Sequence, residues 1–399
     1  MLVYLKELKK FITSSTMNEW KLNDSNFSFI DRLKIAKFII NPNNFWTMNK
    51  QVSLFEQKMA EYICCNYAVF VSSGSTANTI LAMYLKDKFY TEQKKKIIFP
   101  STTWTTSIAP FLREGFEPLF IDVSLKDFAI DLDLLDATLE KERDFVSCVF
   151  ITSLIGFVPD MHRLMQISKK HGVRIMMDNC ENTFGEFYFK NVSSFFTSTT
   201  STYFGHQLQS VEGGFLFTND EEEYEYFLMA RNHGMTKSVK NPEKYINKDV
   251  DSRFDFYFLG SNFRNTDINA FIGLLDLKRI KTLTQKRINL YNTYKESLKN
   301  SSYLPTITNR YGHVPFCFPI FCENPEKRSQ AIDFCNKNKI ESRPIISGNM
   351  LKQTCYKQYG DYKDFKNSEY LHNNAFYVGL HSKVKKQNII KLTTYLNNL

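Results

Sequence analysis

The sequence predicts an α/β protein with a mainly parallel sheet and a smaller C-terminal α+β domain. Short apolar runs alternate with helix-period segments from about residue 55 to residue 219, and this alternation is typical of a parallel sheet covered by helices on both faces. From residue 276 one long helical stretch interrupts the alternation. We therefore expect an N-terminal extension (1–27), a large α/β domain (28–275), and a connecting helix with the small domain (276–399).

Local composition places the elements of the large domain. Runs rich in Ile, Val and Phe predict buried strands, and apolar residues at helical spacing predict helices. The predicted strands are Ala68–Ser72, Ile97–Phe99, Pro118–Val123, Val146–Thr152 and Arg174–Met177. The predicted helices are Leu54–Cys65, one that opens at residues 73–76 and continues to Leu85, Thr106–Glu114 and Met161–His171.

The C-terminal third carries weaker signals. We expect a helix over Asp276–Asn300, a strand over Val314–Phe321, a helix over Pro325–Lys339, and an irregular segment that continues to Gly379. The segment Tyr245–Phe258, rich in charges and aromatic residues, is predicted to be a loop.

Composition excludes several classes of protein. With 399 residues, 43% hydrophobic and 23% charged, the chain is typical of a soluble globular protein. The formal charge of +9 comes from lysines spread along the chain, which argues against nucleic-acid binding. Eight cysteines without a Cys-x-x-Cys pair suggest reduced thiols, a cytoplasmic protein and no metal site. No apolar run reaches membrane-spanning length, and the N-terminus lacks a signal-peptide profile.

The segment Ser73-Gly74-Ser75-Thr76 lies between a predicted strand and a predicted helix. Free backbone N–H groups at a helix start favour an anion, and small residues allow it to approach closely. The hydroxyls of Ser75 and Thr76 can add hydrogen bonds. The alternative interpretation is a simple helix cap.

Two further side chains lie at or just after the ends of predicted strands, where sites in parallel sheets are found. Trp104 follows the second strand and can stack on a planar ring, although alone it is explained as a core tryptophan. Asp178 ends the fifth strand, and alone it is explained as a turn residue or helix cap.

In combination, the motifs resemble the DegT/DnrJ/EryC1/StrS family of sugar aminotransferases. Gly260-Ser-Asn262-Phe-Arg264-Asn-Thr-Asp267 matches the family signature G-x-N-x-R-x-x-[DE], and Arg231-Asn-His233-Gly234 matches a motif near the subunit interface. The matches run from about Phe29 to Gly379 and occur in the family's order. The resemblance implies the fold of the pyridoxal-phosphate-dependent aspartate aminotransferases, known as fold type I.

The resemblance also implies roles for individual residues. Gly74, Ser75 and Thr76 correspond to the cradle for the cofactor phosphate, and Ser201 to a serine that contacts that phosphate. Trp104 corresponds to the ring-stacking aromatic residue, Asp178 to the partner of the pyridine nitrogen, and Glu181 to a residue beside the cofactor. Asn262 corresponds to a contact with the cofactor phosphate of the neighbouring subunit, which implies a homodimer. Arg264 and Arg343 are expected to bind substrate, and His233 is a weaker candidate for a second acid or base.

The chain departs from this family at His206. In Ser201-Thr-Tyr-Phe-Gly-His206-Gln-Leu-Gln-Ser-Val-Glu212-Gly-Gly, the histidine stands six residues before Glu-Gly-Gly, where the family has the lysine that forms the Schiff base with the cofactor. No lysine occurs between Asn191 and Thr236, so a small shift of the alignment cannot supply one. The cofactor is therefore expected to be held without a covalent bond. An imidazole, with an ordinary pKa near ~6.5, can still move protons.

Histidine at this position resembles the branch of the family that removes the 3-hydroxyl from a nucleotide-linked 4-keto-6-deoxyhexose. The reaction implied uses pyridoxamine phosphate, with His206 as base and then acid, and L-glutamate to restore the amine from pyridoxal phosphate. One group in this branch acts on CDP-linked sugars and holds an iron–sulfur cluster, for which the cysteines here give no comparable set. The segments Arg343–Asn349 and Phe376–Gly379 resemble the GDP-linked group, so a GDP-linked 4-keto-6-deoxymannose is the expected substrate.

Two other functions stay open from the sequence. One is an ordinary nucleotide-sugar aminotransferase that uses His206 in another way. The other is a non-catalytic homologue that binds sugar nucleotide. A complete set of ring-binding residues argues against the second, and the absence of a lysine at the family position argues against the first.

Overall fold

The computed structural model describes residues 19–157, 159–299 and 314–399. Its main feature is a seven-stranded sheet in the order β1-β9-β8-β5-β4-β2-β3. The strands are β1 (Tyr67–Val71), β2 (Lys96–Pro100), β3 (Glu117–Ile121), β4 (Val146–Thr152), β5 (Ile175–Asp178), β8 (Thr197–Ser201) and β9 (Gly214–Thr218). A short hairpin of β6 (Glu186–Phe187) and β7 (Lys190–Asn191) lies between β5 and β8.

The expected mainly parallel sheet is confirmed, with one exception. Strand β9 pairs antiparallel with both β1 and β8, whereas the other neighbouring strands pair in parallel. The reason lies in the connection, because the chain passes from β8 to β9 through residues 202–213 without a crossover helix and so returns antiparallel. The carboxyl ends of β1, β2, β4, β5 and β8 therefore share one edge of the sheet.

Helices cover both faces of this sheet. Alternate residues of β2 show the pattern, because Ile97 and Phe99 enter one apolar cluster and Ile98 enters another. The helices of this part are α1 (Phe29–Ile40), α2 (Lys50–Ile63), α3 (Gly74–Phe89), α4 (Ala109–Arg113), α5 (Leu132–Glu142), α6 (Met161–His171), α7 (Glu221–Arg231) and α8 (Asp267–Leu277). The predicted helix over Thr106–Glu114 is a 3-10 turn, Thr105–Ser107, followed by α4. Residues 245–258 form the predicted loop, apart from one 3-10 turn at Ser252–Phe254.

The C-terminal part holds a separate antiparallel sheet in the order β10-β12-β11, formed by β10 (Cys317–Phe321), β11 (Ser342–Pro344) and β12 (Ala375–Gly379). It packs with α9 (Ile280–Ser297), α10 (Pro325–Lys337), α11 (Lys366–Asn374) and α12 (Lys386–Asn397). The expectation of an irregular segment up to Gly379 is wrong, because β11, α11 and β12 lie there. Strand β11 has three residues and α11 is largely polar, so neither shows an apolar pattern in the sequence.

The expectation of one long helix over Asp276–Asn300 is also wrong, because two helices share this stretch. Helix α8 ends at Leu277 and α9 begins at Ile280. Asn300 and the first 18 residues lie outside the described residues. The domain boundaries at residues 27 and 275 stay predictions. In the described part of the chain, no helix combines the length and the apolar character that crossing a bilayer requires.

Candidate active site

A cavity of about 360 Å³ opens at the carboxyl edge of the large sheet. Loops that follow β1, β2, β4, β5 and β8 line it together with residues of the small sheet. Eight of the predicted site residues meet there: Gly74, Ser75, Trp104, Asp178, Glu181, Ser201, His206 and Arg343. Thr76, Asn262 and Arg264 do not line it.

The start of α3 forms the base of a cradle. The N–H groups of Gly74 and Ser75 precede the first helical hydrogen bond and donate to no group in the described residues. A Cβ on Gly74 would lie 2.8 Å from the Cys180 sulfur and 3.0 Å from the Ser201 Cβ. Glycine therefore lets the helix start lie against two neighbouring strand ends, with two amides available to an anion.

A second glycine completes this arrangement. A Cβ on Gly214 would lie 2.4 Å from the carbonyl carbon of Ser73, so the start of β9 passes directly beside the cradle peptide. This close approach explains the glycine at position 214, whereas a Cβ on Gly213 would meet the Thr202 hydroxyl and the Phe70 ring.

Thr76 has a different place from the one expected. Its hydroxyl donates to the Ser73 carbonyl at 2.8 Å and accepts from the Ser73 N–H at 2.9 Å, while the Thr76 N–H donates to the Ser73 hydroxyl at 3.1 Å. This is a capping box at the N-terminus of α3, and it satisfies the backbone N–H groups of Ser73 and Thr76. The helix-cap interpretation accounts for Thr76, and its contact with a ligand stays a prediction.

Asp178 is buried at the end of β5 and its position is fixed by several donors. Asn78 Nδ2 and Ser107 Oγ donate to the same carboxylate oxygen at 2.8 and 2.7 Å, and the Cys180 N–H donates to the other at 3.0 Å. The Thr199 hydroxyl in turn donates to Asn78 Oδ1 at 2.6 Å, which fixes the orientation of that side-chain amide. These donors fix the orientation of the carboxyl group at the edge of the cavity, which suits a partner for a protonated ring nitrogen.

Trp104 is 53% exposed, so it is not a core tryptophan. It lies after β2 and lines the cavity. An exposed indole on the wall of a cavity offers an open aromatic face to a planar ligand.

Glu181 lies beside the cavity with a neutral carboxyl group. Burial raises the pKa of Glu181 to about 8, although a hydrogen bond from the Ile155 N–H opposes that shift. The donor lies 2.7 Å from the carboxyl oxygen. Ile155 adopts a left-handed conformation with φ of 49°, which is unfavourable for a β-branched residue and aims its N–H at Glu181.

His206 lies in the loop of residues 202–213 between β8 and β9, called here the His206 loop. Its ring is half-buried, 5.6 Å from the Phe316 ring centroid, and its Nδ1 atom has no hydrogen-bond partner among the described residues. Burial lowers the pKa of the His206 imidazole to about 4, while the nearby Asp178 carboxylate opposes this shift. At neutral pH the imidazole is therefore uncharged and able to accept a proton.

The small sheet contributes the outer part of the cavity. Arg343 in β11 is exposed and pairs with Tyr377 in β12, and both side chains line the cavity. The sequence reasoning missed Tyr377, Phe316 and Asn23 as lining residues. The segment Phe376–Gly379 resembles the GDP-linked group of the family. This resemblance was the one available signal in the sequence for Tyr377.

Asn262 and Arg264 lie on the exposed surface outside the cavity. Arg264 Nε donates to Asn262 Oδ1 at 3.1 Å, and Arg264 Nη1 donates to Asn232 Oδ1 at 3.2 Å. Both residues therefore present polar groups to solvent in a single chain, as a contact with a second subunit requires.

One group of potential metal ligands lies elsewhere in the described residues, formed by Asp136, Glu140 and His171. Lys170 Nζ already contacts Asp136 and Glu140 at 2.9 and 2.7 Å. These ion pairs account for the cluster without a metal ion.

The site therefore suits a flat ligand with an anionic tail. Free amides can bind the tail, the Trp104 indole can cover a ring, and Asp178 can pair with a ring cation. An imidazole nitrogen that has no partner within residues 19–157, 159–299 and 314–399 lies in the same cavity. These features fit pyridoxal or pyridoxamine phosphate.

Comparisons with known proteins agree with this geometry. The sequence profile of the DegT/DnrJ/EryC1/StrS aminotransferase family matches residues 35–397. GDP-4-keto-6-deoxy-D-mannose 3-dehydratase of Escherichia coli O55:H7 is 29% identical over 351 residues, which cover 85% of this chain and 90% of that protein.

Two solved structures are similar over most of the chain. The E. coli GDP-4-keto-6-deoxy-D-mannose-3-dehydratase with bound hydrated PLP has a TM-score of 0.86 at 26% identity, and covers 96% of this chain and 100% of its own. A GDP-4-keto-6-deoxymannose-3-dehydratase with a trapped PLP–glutamate geminal diamine has a TM-score of 0.85 at 26% identity, covering 94% of this chain and 100% of its own.

Proposed function

The chain belongs to the DegT/DnrJ/EryC1/StrS aminotransferase family, and we propose that within it the protein is a 3-dehydratase of a GDP-linked 4-keto-6-deoxyhexose. The sugar expected is GDP-4-keto-6-deoxymannose, and the product is the 4-keto-3,6-dideoxy sugar. The observation that carries the proposal is the histidine that occupies the cavity where a family aminotransferase has lysine. Among the described residues that line the cavity, none is a lysine.

Pyridoxal and pyridoxamine phosphate are the proposed cofactor forms, held without a covalent bond. Pyridoxamine phosphate supplies an amine that condenses with the sugar ketone and a ring that accepts electrons while the 3-hydroxyl leaves. The amides of Gly74 and Ser75, with Ser201, would hold the phosphate. Trp104 would cover the ring and Asp178 would pair with its nitrogen. Glu181 would donate a hydrogen bond from its neutral carboxyl group to a polar atom of the ring.

His206 performs the proton transfers in this proposal. Its imidazole is neutral at pH 7 and its Nδ1 has no partner in the described part of the chain, so it can take up a proton at the reacting centre. Once protonated, it can return that proton to the departing 3-hydroxyl, which leaves as water. Arg343, exposed at the mouth of the cavity, would bind the charged part of the substrate.

L-glutamate is the proposed amino donor that restores the amine form of the cofactor. The PLP–glutamate adduct trapped in a similar structure supports this choice. An amino-sugar product is disfavoured because a lysine shuttle is missing from the cavity.

A homodimer is the proposed assembly. Several apolar side chains of α1 and the segment after it are exposed, among them Ile30 at 64%, Ile40 at 78% and Phe45 at 66%. Exposed apolar patches of this kind mark protein interfaces. In the dimer, Asn262 and Arg264 would reach the cavity of the partner subunit. All eight cysteines lie in the described residues and are free thiols, which supports the proposed cytoplasmic location.

The test is a panel of GDP- and CDP-linked 4-keto-6-deoxy sugars incubated with pyridoxamine phosphate and glutamate. We expect ammonia, 2-oxoglutarate and a 3-deoxy sugar with the GDP-linked substrate. An amino sugar as the product would overturn the proposal in favour of transamination, and the absence of turnover with binding of the sugar nucleotide would favour a non-catalytic role.

A further inference from the structure

Residues 19–28, called here the N-terminal strap, are anchored on the small sheet. Trp20 is buried, and its Nε1 donates to the Gly379 carbonyl at 2.7 Å. The Trp20 N–H donates to the Lys339 carbonyl at 3.0 Å, and the Glu341 N–H donates to the Trp20 carbonyl at 2.8 Å. The strap is therefore paired along the edge of the sheet at residues 339–341.

Gly379 permits this crossing. A Cβ at this position would lie 2.3 Å from the Lys21 carbonyl oxygen and 2.5 Å from the Leu22 Cα. These are backbone atoms, so any larger residue would push the strap away from the sheet.

The strap then bonds to the His206 loop on both sides of the histidine. Before it lies the contact with Asn23. In the orientation of the Asn23 amide that satisfies both its oxygen and its nitrogen, the N–H₂ group donates to the Gly205 carbonyl at 3.0 Å. After it, the buried Gln209 donates to the Asp24 carbonyl at 3.0 Å and accepts from the Asn26 N–H at 3.1 Å. Gln209 also donates to the Phe204 carbonyl at 2.9 Å, which closes the loop on itself.

This support matters because an imidazole forms no covalent bond to the cofactor, whereas a lysine at this position is fixed by one. His206 keeps its place through noncovalent contacts such as that with the Phe316 ring, and through its loop. The Gln207 amide also ties this loop to the Glu181 and Val314 carbonyls. Proton transfer needs a positioned base, and a displacement of about 1 Å can lower a rate by about 10²-fold.

We propose that the N-terminal strap is a positioning element for His206, with Asn23 and Gln209 as its positioning residues. Its catalytic consequence rests on the function proposed above, and its structural consequence does not. The strap also connects the small sheet to the His206 loop, so the two are held in one arrangement.

The experiment measures His206 in two ways. The first is the rate of carbethoxylation of His206 by diethyl pyrocarbonate in the cofactor-free protein, followed by peptide mass spectrometry with the exposed His162 as internal reference. The second is the separate measurement of kcat and KM with the GDP-linked sugar. The variants are Asn23→Ala, Gln209→Ala and Asn23→Asp, which keeps the shape of asparagine without its donor. Lys383→Ala is the control, since it removes only a partly exposed ion pair with Asp24 from the strap.

We expect His206 to react several-fold faster in all three variants, with kcat lowered about 10- to 100-fold and KM changed much less. The control should match the wild type. Gly379→Ala, which acts from outside the cavity, should have the same effect if it folds. Unchanged His206 reactivity in the folded Asn23 and Gln209 variants would overturn the proposal. If His206 is carbethoxylated faster in the variants of a protein that dehydrates no sugar, the positioning role of the strap is supported and only the proposed function is refuted.

Discussion

The cradle at the strand ends and the His206 loop border the same cavity but are built in opposite ways. Beside the cradle, at the end of β5, Asp178 accepts hydrogen bonds on both carboxylate oxygens and is buried. In the loop, one ring nitrogen of His206 has no partner among the residues that the structure describes. The comparison teaches that the carboxylate proposed to pair with a ring cation is fixed in advance by its donors, whereas the group proposed to move a proton is left incomplete. Preorganised dipoles cost no rearrangement when charge develops, while a base must keep a lone pair free.

The largest expected effect follows from replacing His206. His206→Asn should lower kcat for dehydration by about 10²–10⁴-fold, the usual contribution of a general base, and should leave cofactor affinity nearly unchanged. Steady-state kinetics and a fluorescence titration with pyridoxamine phosphate measure the two quantities. His206→Lys should in addition give a borohydride-reducible bond to pyridoxal phosphate. A His206→Asn variant with wild-type kcat would remove the basis of the comparison.

The second expected effect tests Asp178, whose carboxylate oxygens both accept hydrogen bonds. Asp178→Ala should weaken cofactor binding by about 2–5 kcal/mol, because it leaves a buried cationic group without its partner. Asn78→Ala should act in the same direction by about 1–3 kcal/mol, the cost of a buried polar group without its hydrogen bond. Isothermal titration of the cofactor measures both. Equal affinity in Asp178→Ala and the wild type would show that the cradle does not depend on this carboxylate.

The third effect concerns pH. Burial raises the pKa of Glu181 from its ordinary value to about 8, so the folded protein keeps a proton that the unfolded chain has lost. Stability therefore falls as the pH rises from about 4.5 towards 8. Glu181→Gln removes this dependence and should raise the melting temperature of the cofactor-free protein more at pH 8 than at pH 5. Differential scanning fluorimetry measures it, with the exposed Glu92→Gln as the control. An equal change at both pH values would contradict the raised pKa.

The smallest effect belongs to Trp104. Since the indole is half exposed, Trp104→Ala should leave the melting temperature unchanged and weaken cofactor binding by about 0.5–1.5 kcal/mol, the value of an aromatic stacking contact. Trp104→Phe keeps an aromatic face and should recover most of the loss. Affinities by fluorescence titration of the cofactor decide this, and a loss of stability in Trp104→Ala would instead assign it a structural role.

Asp178 was predictable because its signal is local: it ends an apolar strand, and strands that point the same way bring their ends to one edge of a sheet. Ser201 was assigned only from the family resemblance, because the strand that it ends, β8, consists of threonine and serine and has no apolar pattern. The replacement of lysine by His206 was also visible in the chain. The pattern did not reveal that β9 runs antiparallel, because its apolar run looks the same in either direction.

The rest of the site depends on contacts between distant parts of the chain. Asn78 lies in the second turn of α3, and nothing near it in the sequence indicates that its amide meets Asp178, 100 positions later. Asn23 reaches the cavity only because Gly379 lets the strap cross the small sheet. The three-residue strand β11 is extended by its pairing with β12 rather than by its own sequence.

The bond from Trp20 to Gly379 joins residues 359 positions apart, and this separation constrains the order of biosynthesis. Translation proceeds at roughly 5–20 residues per second, and domains generally fold as they emerge. The last strand of the large sheet ends at Thr218, so this sheet can assemble while the ribosome is still working, but Gly379, the partner of Trp20, is made much later. A nascent chain can therefore form the cradle well before Trp20 meets Gly379, and a chain truncated before residue 379 lacks this anchor of the N-terminal strap.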